Sequence, residues 1–362
     1  MYFNKLDSLR SVAFLLVFWS HGFSPCFKDL SDNLFIQLII NKLTLTGGIG
    51  VHIFFVLSGF LITYLMLHEE KVTKKFNLLN FYRRRILRIW PLYYLIMIIG
   101  VFVLPFISDT FYFNGAIIPN FIFLNNFTDF EPANVGITWS VAIEEQFYFV
   151  WPIIFLLIKN KKKLLVFCLL IFVHSLVFKL MHYKTDYTYA HTFGNTIFLM
   201  TGCVGGVLFM KYEHKIKSSF IGVSKFIYLN ILIIAFLIIL PVFHVFFNFL
   251  CILVLPVCYL TLILNLTINS NNKSSLLAKM GKYTYGMYLY HLTILIFVKI
   301  IFDFINLDYT NSAGINFIIA LLAFFITLAV SIISYNYFER PFLKLKSRFS
   351  MFKMDNIRHL EN

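Results

Sequence analysis

A pair of carboxylates lies inside a stretch that otherwise suits the interior of a membrane. Glu144 and Glu145 are adjacent within residues 138–152, and the apolar run that begins there continues to Ile158. An ionised carboxylate in hydrocarbon costs at least about 3 kcal/mol on insertion scales. Such a group is retained where it faces a wet cavity, finds a partner or takes part in a reaction.

A histidine is expected at a similar depth. Ten residues separate Arg10 from His21, which is about 16 Å along a helix. An imidazole titrates near working pH and suits the role of general base. A carboxylate such as Glu144 can orient that imidazole or stabilise its charged form. A lone histidine on an apolar helix is more often a core residue, and only the company of Glu144 favours catalysis.

Arginines form a second cluster. Arg84, Arg85 and Arg88 are spaced i,i+3 and i,i+4, so their side chains can converge on one patch of a helix. Arginine suits bidentate phosphate binding better than lysine. The same cluster also fits a topology signal at a membrane boundary, and composition leaves both interpretations open. Arg10, which can pair with Asp7, is a further anion-binding candidate.

The elements that position these groups are predicted to be membrane helices. Of the 362 residues, 59% are hydrophobic and 13% are charged, and the mean hydropathy is +0.79. A soluble domain cannot hide that much apolar surface, and backbone in lipid must satisfy its own hydrogen bonds. We expect an all-α polytopic membrane helix bundle with about ten transmembrane helices. They fall near residues 9–27, 48–68, 89–107, 140–158, 164–181, 193–210, 226–243, 246–265, 285–302 and 315–337.

The distribution of positive charge predicts the topology. With the N-terminus in the cytoplasm and alternating helices, 26 of the 31 Lys and Arg residues fall on inner segments and three on outer segments. Both termini are therefore expected in the cytoplasm. The net charge of +14 needs no nucleic acid, because a membrane protein carries a basic cytoplasmic face. Residues 1–341 form the predicted membrane domain, and residues 342–362 a basic cytoplasmic tail.

Other features carry weaker signals. The five cysteines have no metal-binding spacing, and no metal is expected. Residues 108–138 lack Lys and Arg and could form a lid or an acceptor-binding surface. Glycines on the predicted helices indicate close helix packing. Structural roles are expected for His291 and Glu339.

Taken together, the motifs resemble those of the integral-membrane family called acyltransferase-3, and the resemblance spans nearly the whole chain. In chain order they are Arg10 with His21, the FFVLSGFLI helix within 50–62, Arg84, Arg85 and Arg88 ahead of Pro91 and Tyr93, Trp139 with Ser140 and Glu144, the stretch 288–291, and Glu339–Arg340–Pro341. Valine at 141 replaces the leucine of the family pattern.

The resemblance implies transfer of an acyl group, commonly acetyl, from cytoplasmic acyl-CoA such as acetyl-CoA to a hydroxyl of a cell-surface or lipid-linked glycan. The protein would then be a multi-pass enzyme of the cytoplasmic (inner) membrane. Some members carry an extra extracytoplasmic esterase-like domain, which is not expected in this chain. The resemblance does not identify the sugar, the acyl group or the oligomeric state.

These observations give one main hypothesis for the site. Arg84, Arg85, Arg88 and Arg10 bind the CoA phosphates; His21 and Glu144 form the catalytic pair; and substrate is bound by Trp139, Ser140 and Tyr148. A proton-coupled secondary transporter or exporter is the alternative, since it also uses membrane-embedded His and Glu. A scaffold for envelope polysaccharide assembly is a third.

Overall fold

The computed structural model describes residues 3–27, 36–38, 40–41, 46–107, 117–128, 135–182, 187–220, 224–239, 245–268, 275–307 and 312–349. These residues form helices and connecting turns, with no β-strand among them. The principal helices are α1 Asn4–Phe18, α2 Gly47–Thr73, α3 Leu78–Ile98, α4 Thr138–Leu157, α5 Lys161–Met181, α6 Thr192–Phe220, α7 Ser224–Ile239, α8 Val245–Ile268, α9 Thr284–Phe304, α10 Ala313–Ser334 and α11 Arg340–Ser347.

Each of the ten predicted segments overlaps one of the helices α1 to α10, and the all-α polytopic membrane bundle is confirmed. Among the described residues, eight helices are long and apolar enough to cross a membrane. The α-helical parts of α1 and α7, 15 and 16 residues long, are shorter than the others. The number of spans and the side on which the termini lie therefore stay predictions.

Helices α2 and α6 pack closely along each other because glycines line their contact. A Cβ atom on Gly59 would overlap the carbonyl oxygen of Leu199, and one on Gly202 would overlap that of Val56. Small residues let helix backbones approach in this way where lipid provides no hydrophobic driving force between helices. The predicted packing role of these glycines is confirmed.

Helix α1 ends in a π-helical turn, Trp19–Phe23, followed by a 3₁₀ turn, Ser24–Phe27. The turn places His21 off the regular α-helical register, and single π turns inside helices occur frequently at functional sites. A second π turn, Tyr335–Glu339, joins α10 to α11. Helix α11 packs against α3. The predicted tail thus begins inside a packed helix, and residues 350–362 lie outside the described part.

Candidate active site

A cleft opens among helices α1, α2, α3, α4 and α9. Its empty volume is about 1000 Å³, part of it continuous with the outside. Apolar side chains of α2 form one wall. The polar lining residues are Arg10, Ser58, Arg85, Arg88, Ser140, Glu144, Tyr148, Thr284, Tyr285 and Tyr288. Six of the nine site residues predicted from the sequence therefore line this one cavity: Glu144, Arg10, Arg85, Arg88, Ser140 and Tyr148.

One end of the cleft is strongly basic. The guanidinium carbon of Arg85 lies 5.4 Å from the centre of the Tyr148 ring and 5.6 Å from that of Phe81. The Arg85 Nε atom is buried and has no hydrogen-bond partner among the described residues. Arg88 is exposed to the cleft, and Arg10 lines it while pairing with Asp7. A buried donor without an acceptor suits an anion that enters from the cleft.

Arg84 does not join this group, which corrects the prediction that all three arginines of α3 converge. Its Nη2 atom lies 2.7 Å from Glu69 Oε2, and its Nη1 donates to the carbonyl oxygen of Phe349 at 2.9 Å. At 3.6 residues per turn, Arg84 and Arg85 point about 100° apart, on either side of Arg88. Arg84 therefore faces the carboxylate of α2 and the chain after α11, and Arg85 faces the cleft.

Lys346 is a basic residue that the sequence prediction missed. It lies on α11, is half-buried, and the like charges of Arg88, Arg85, Arg84 and Arg10 act on its ammonium group. From the sequence it is one more lysine of a basic tail. Only the packing of α11 on α3 brings it to the cluster.

The other part of the cleft contains a small network of hydroxyls around Glu144. Ser58 Oγ donates to Glu144 Oε1 at 2.6 Å, and the Tyr148 hydroxyl lies 3.1 Å from Glu144 Oε2 and 2.9 Å from Ser58 Oγ. Since the Tyr148 ring also supports Arg85, Glu144 is linked through Tyr148 to the basic end. Both residues lie on α4, one helical turn apart.

The second carboxylate of the pair faces elsewhere. Glu145 is buried, its Oε2 accepts a hydrogen bond from Trp90 Nε1 at 2.7 Å, and it does not line the cleft. Trp139, predicted to bind substrate, is also buried outside the cleft lining, where it packs against Phe55 and Tyr189. Its large ring packs between helices, and substrate binding by Trp139 stays a prediction.

Ser140 does line the cleft. Its Oγ lies 2.6 Å from the Tyr288 hydroxyl and donates to the Ile137 carbonyl at 3.1 Å. Tyr288 belongs to α9, so this contact joins α4 to the helix that carries His291. The outer segment 108–138, suggested as a lid or acceptor surface, lies partly outside the described residues.

His21 is paired with another histidine. Its Nδ1 atom lies 2.9 Å from His291 Nε2, and the two ring planes are within 18° of each other, with 5.2 Å between their centroids. His291 has no exposed surface, and its Nδ1 lies 2.7 Å from the carbonyl oxygen of Tyr288. His21 itself is exposed.

The direct pairing of His21 with Glu144 that the sequence suggested is not made. Among the described residues, the hydrogen bonds of Glu144 go to Ser58 and Tyr148, and that of His21 goes to His291. The imidazole is connected to the cleft through His291 and then Tyr288, one of the lining residues. His291, for which a structural role was expected, is therefore a member of the site.

Residues 3–336 match the family model described as "Acyltransferase domain", Acyl_transf_3. The chain therefore belongs to the acyltransferase-3 family, as the motifs predicted. No group of three or more potential metal ligands was found among the described residues.

Two relatives illustrate the range of similarity. A protein of Staphylococcus aureus strain COL named "Putative O-acetyltransferase" is 28% identical over 377 residues, which cover 95% of this chain and 58% of that protein. "O-acetyltransferase OatA" of S. aureus strain NCTC 8325 is 28% identical over 394 residues, covering 94% and 59%. The chain thus spans about three fifths of the length of these relatives. No solved structure matches it.

Proposed function

We propose that this chain is a membrane-bound O-acyltransferase that moves an acyl group, most simply acetyl, from cytoplasmic acyl-CoA to a hydroxyl of a cell-surface or lipid-linked glycan. Family membership supports acyl transfer, and the names of the relatives support acetyl and an oxygen acceptor. The observation that carries the proposal is the cleft, which joins a cluster of arginines to a network of hydroxyls.

The basic end of the cleft suits the phosphates of acyl-CoA. Arg10, Arg85 and Arg88 all line the cavity, and Lys346 lies near them. Like charges gathered at one place repel each other unless an anion offsets them. Guanidinium groups bind phosphate oxygens through charge-assisted, often bidentate hydrogen bonds. The unpartnered Nε of Arg85 is one donor that such an oxygen would satisfy.

The rest of the cleft suits the arm that carries the thioester. Its walls include Val51, Phe54 and Leu57 of α2, and its polar lining includes Ser140 and Tyr288. A donor bound by its phosphates would extend its arm along this apolar wall. The thioester would then lie near the Ser140 and Tyr288 hydroxyls. Both now donate to the Ile137 carbonyl, and one of them would have to leave that contact to donate to the thioester oxygen as it gains negative charge.

The transfer itself needs one base. His21 Nε2 takes the proton of the acceptor hydroxyl, and the oxygen attacks the thioester carbonyl carbon. The new C–O ester bond forms, the C–S bond breaks, and the CoA thiolate leaves and takes up the proton that His21 had accepted, which restores the neutral imidazole. Glu144 contributes by holding Ser58 and Tyr148, and through Tyr148 the guanidinium of Arg85. No metal takes part in this scheme.

The enzyme would lie in the cytoplasmic membrane, with its two substrates on opposite sides. The donor is made in the cytoplasm, whereas glycan acceptors are exposed or lipid-linked at the outer side of the cytoplasmic membrane. With both termini in the cytoplasm, the N-terminal half of α1 brings Arg10 to the donor side and its C-terminal turn brings His21 to the acceptor side.

A complementation experiment tests the proposal. Cells that lack the gene would receive wild-type, His21→Ala or Arg88→Ala protein, and the acetyl content of their surface glycan would be measured by mass spectrometry. We expect acetylation only with the wild type. Purified His21→Ala protein should still bind CoA, while Arg88→Ala should bind it weakly. Full acetylation by both variants would refute the assignment, and CoA-independent export of a solute would favour a transporter.

A further inference from the structure

The hydrogen bond between His21 and His291 determines which ring nitrogen of each residue carries a proton. A carbonyl oxygen can only accept a hydrogen bond, so the 2.7 Å contact between His291 Nδ1 and the Tyr288 carbonyl requires a proton on Nδ1. A neutral imidazole carries one proton, and Nε2 of His291 is then an acceptor. The 2.9 Å contact with His21 must therefore be donated by His21 Nδ1.

The surroundings of His291 favour the neutral ring. The residue has no exposed surface, and the centroids of the Phe14 and Phe18 rings lie 5.8 and 6.2 Å from the centroid of its ring. An imidazolium enclosed in this way would have no carboxylate among its described contacts, and a buried unpaired charge is strongly disfavoured.

We propose that His291 is a positioning residue that fixes His21 as the Nδ1–H tautomer and leaves its Nε2 lone pair free to act as the base. The proposal deepens the acyl transfer proposed above and rests on it. The order of hydrogen bonds runs from His21 Nδ1–H to His291 Nε2, and from His291 Nδ1–H to the Tyr288 carbonyl.

The arrangement gives a backbone carbonyl the role expected of Glu144. A histidine's reactive nitrogen is set by the hydrogen bond that its other nitrogen makes. Here the intermediate group is a second imidazole, held by the rigid i to i−3 contact within α9. His21 stands on a π turn and is exposed, so its Nε2 can reach an acceptor while Nδ1 stays anchored.

Substitutions of His291 give the first test. His291→Gln keeps an acceptor oxygen close to the position of Nε2, and His291→Phe keeps the ring volume without any acceptor. Since a general base contributes about 10²- to 10⁴-fold, we expect kcat for acetyl transfer to fall about 100-fold in His291→Phe and at most about 10-fold in His291→Gln. The KM for acetyl-CoA should change little in either, because the donor cleft is intact.

His52→Phe provides a matched control. His52 is also a helix histidine stacked on an aromatic ring, Phe198, at 3.8 Å between centroids, and it lines neither the cleft nor the histidine pair. The rate would be measured with acetyl-CoA and membranes from cells that lack the gene, supplemented with each purified variant. Equal losses in His291→Gln and His291→Phe, or no loss in His291→Phe, would overturn the proposal.

Solid-state NMR gives a second test that does not depend on activity. Wild-type protein with isotope-labelled histidine would be placed in lipid vesicles. The His21 and His291 signals would be assigned by their loss from the spectra of His21→Ala and His291→Phe. We expect both rings to be neutral and protonated on Nδ1. His21 protonated on Nε2, or a charged His291, would overturn the proposal even if wild-type transfer is observed. Absence of transfer with the expected tautomers would refute the proposed function alone.

Discussion

The contrast between Arg84 and Arg88 is the sharpest consequence of the structure, because two arginines four residues apart are expected to do different things. Arg88 is exposed to the donor cleft, whereas Arg84 pairs with Glu69, whose side chain is only 4% exposed. We compare Arg88→Met with Arg84→Met. Both changes remove one charge and keep an unbranched apolar stem.

Arg88→Met should weaken the binding of CoA. One charge-assisted hydrogen bond contributes about 1.5–3 kcal/mol, which corresponds to a rise of about 10- to 100-fold in the Kd for CoA. The free protein should be at least as stable as the wild type, because one like charge leaves the basic end. Isothermal titration calorimetry in detergent measures the Kd, and the thermal unfolding of the same sample measures stability.

Arg84→Met should instead lower the stability of the folded protein. Removing one partner of a buried ion pair costs about 3–5 kcal/mol, and we expect the lower end because Arg84 is 17% exposed. The hydrogen bond to the Phe349 carbonyl is lost as well. The melting temperature should fall by several degrees, while the folded fraction binds CoA with nearly the wild-type Kd.

A double substitution isolates the cause. Arg84→Met with Glu69→Gln removes the carboxylate left without its partner, so it should recover a large part of the lost stability. The reasoning is refuted if Arg84→Met weakens CoA binding as much as Arg88→Met at unchanged melting temperature. It is equally refuted if Arg88→Met binds CoA like the wild type.

Three further predictions concern other parts of the chain. Glu144→Gln should lower acetyl transfer about 10-fold, because the amide can still accept from one hydroxyl but no longer attracts the nearby guanidinium; Glu144→Ala should lower it further, and equal activity of all three proteins would contradict the role assigned to this carboxylate. Lys346→Met should raise the KM for acetyl-CoA by up to about 10-fold and leave kcat unchanged. The rise in KM should be smaller for a thioester donor that lacks phosphate groups. Gly202→Val should reduce the yield of folded protein in size-exclusion chromatography, since its Cβ would overlap the Val56 carbonyl and overpacking costs about 1–3 kcal/mol; Gly314→Val, which has open space around it, is the control and should fold normally.

Sequence reasoning was most successful for the fold. Hydropathy is a property of contiguous residues, and lipid permits few backbone structures other than helix. Each predicted segment therefore overlaps a helix of the structure, while the number of membrane spans stays a prediction. Ser140, which belongs to a family motif, and Tyr148, predicted to bind substrate, both line the cleft.

Residue partners were harder to predict, because they depend on the rotation of each helix about its axis. Glu144 and Glu145 are neighbours in sequence, yet one lines the cleft and the other bonds Trp90. Trp139 belongs to a family motif but is buried against aromatic rings. Successive side chains on a helix point about 100° apart. No local sequence pattern shows which of them faces the cleft.

The sequence was enough to predict a helical membrane protein of the acyltransferase-3 family. It also predicted an arginine cluster at 84–88 and a histidine near the C-terminal end of the first helix, His21. Only the tertiary structure decided that His21 is paired with His291, which lies 270 positions away. Packing also brings Lys346 close to the arginines and pairs the Arg84 guanidinium with Glu69, away from the cleft lining. Hydrophobicity along the chain is enough to make a helix, but a hydrogen bond between distant segments exists only after the helices have packed.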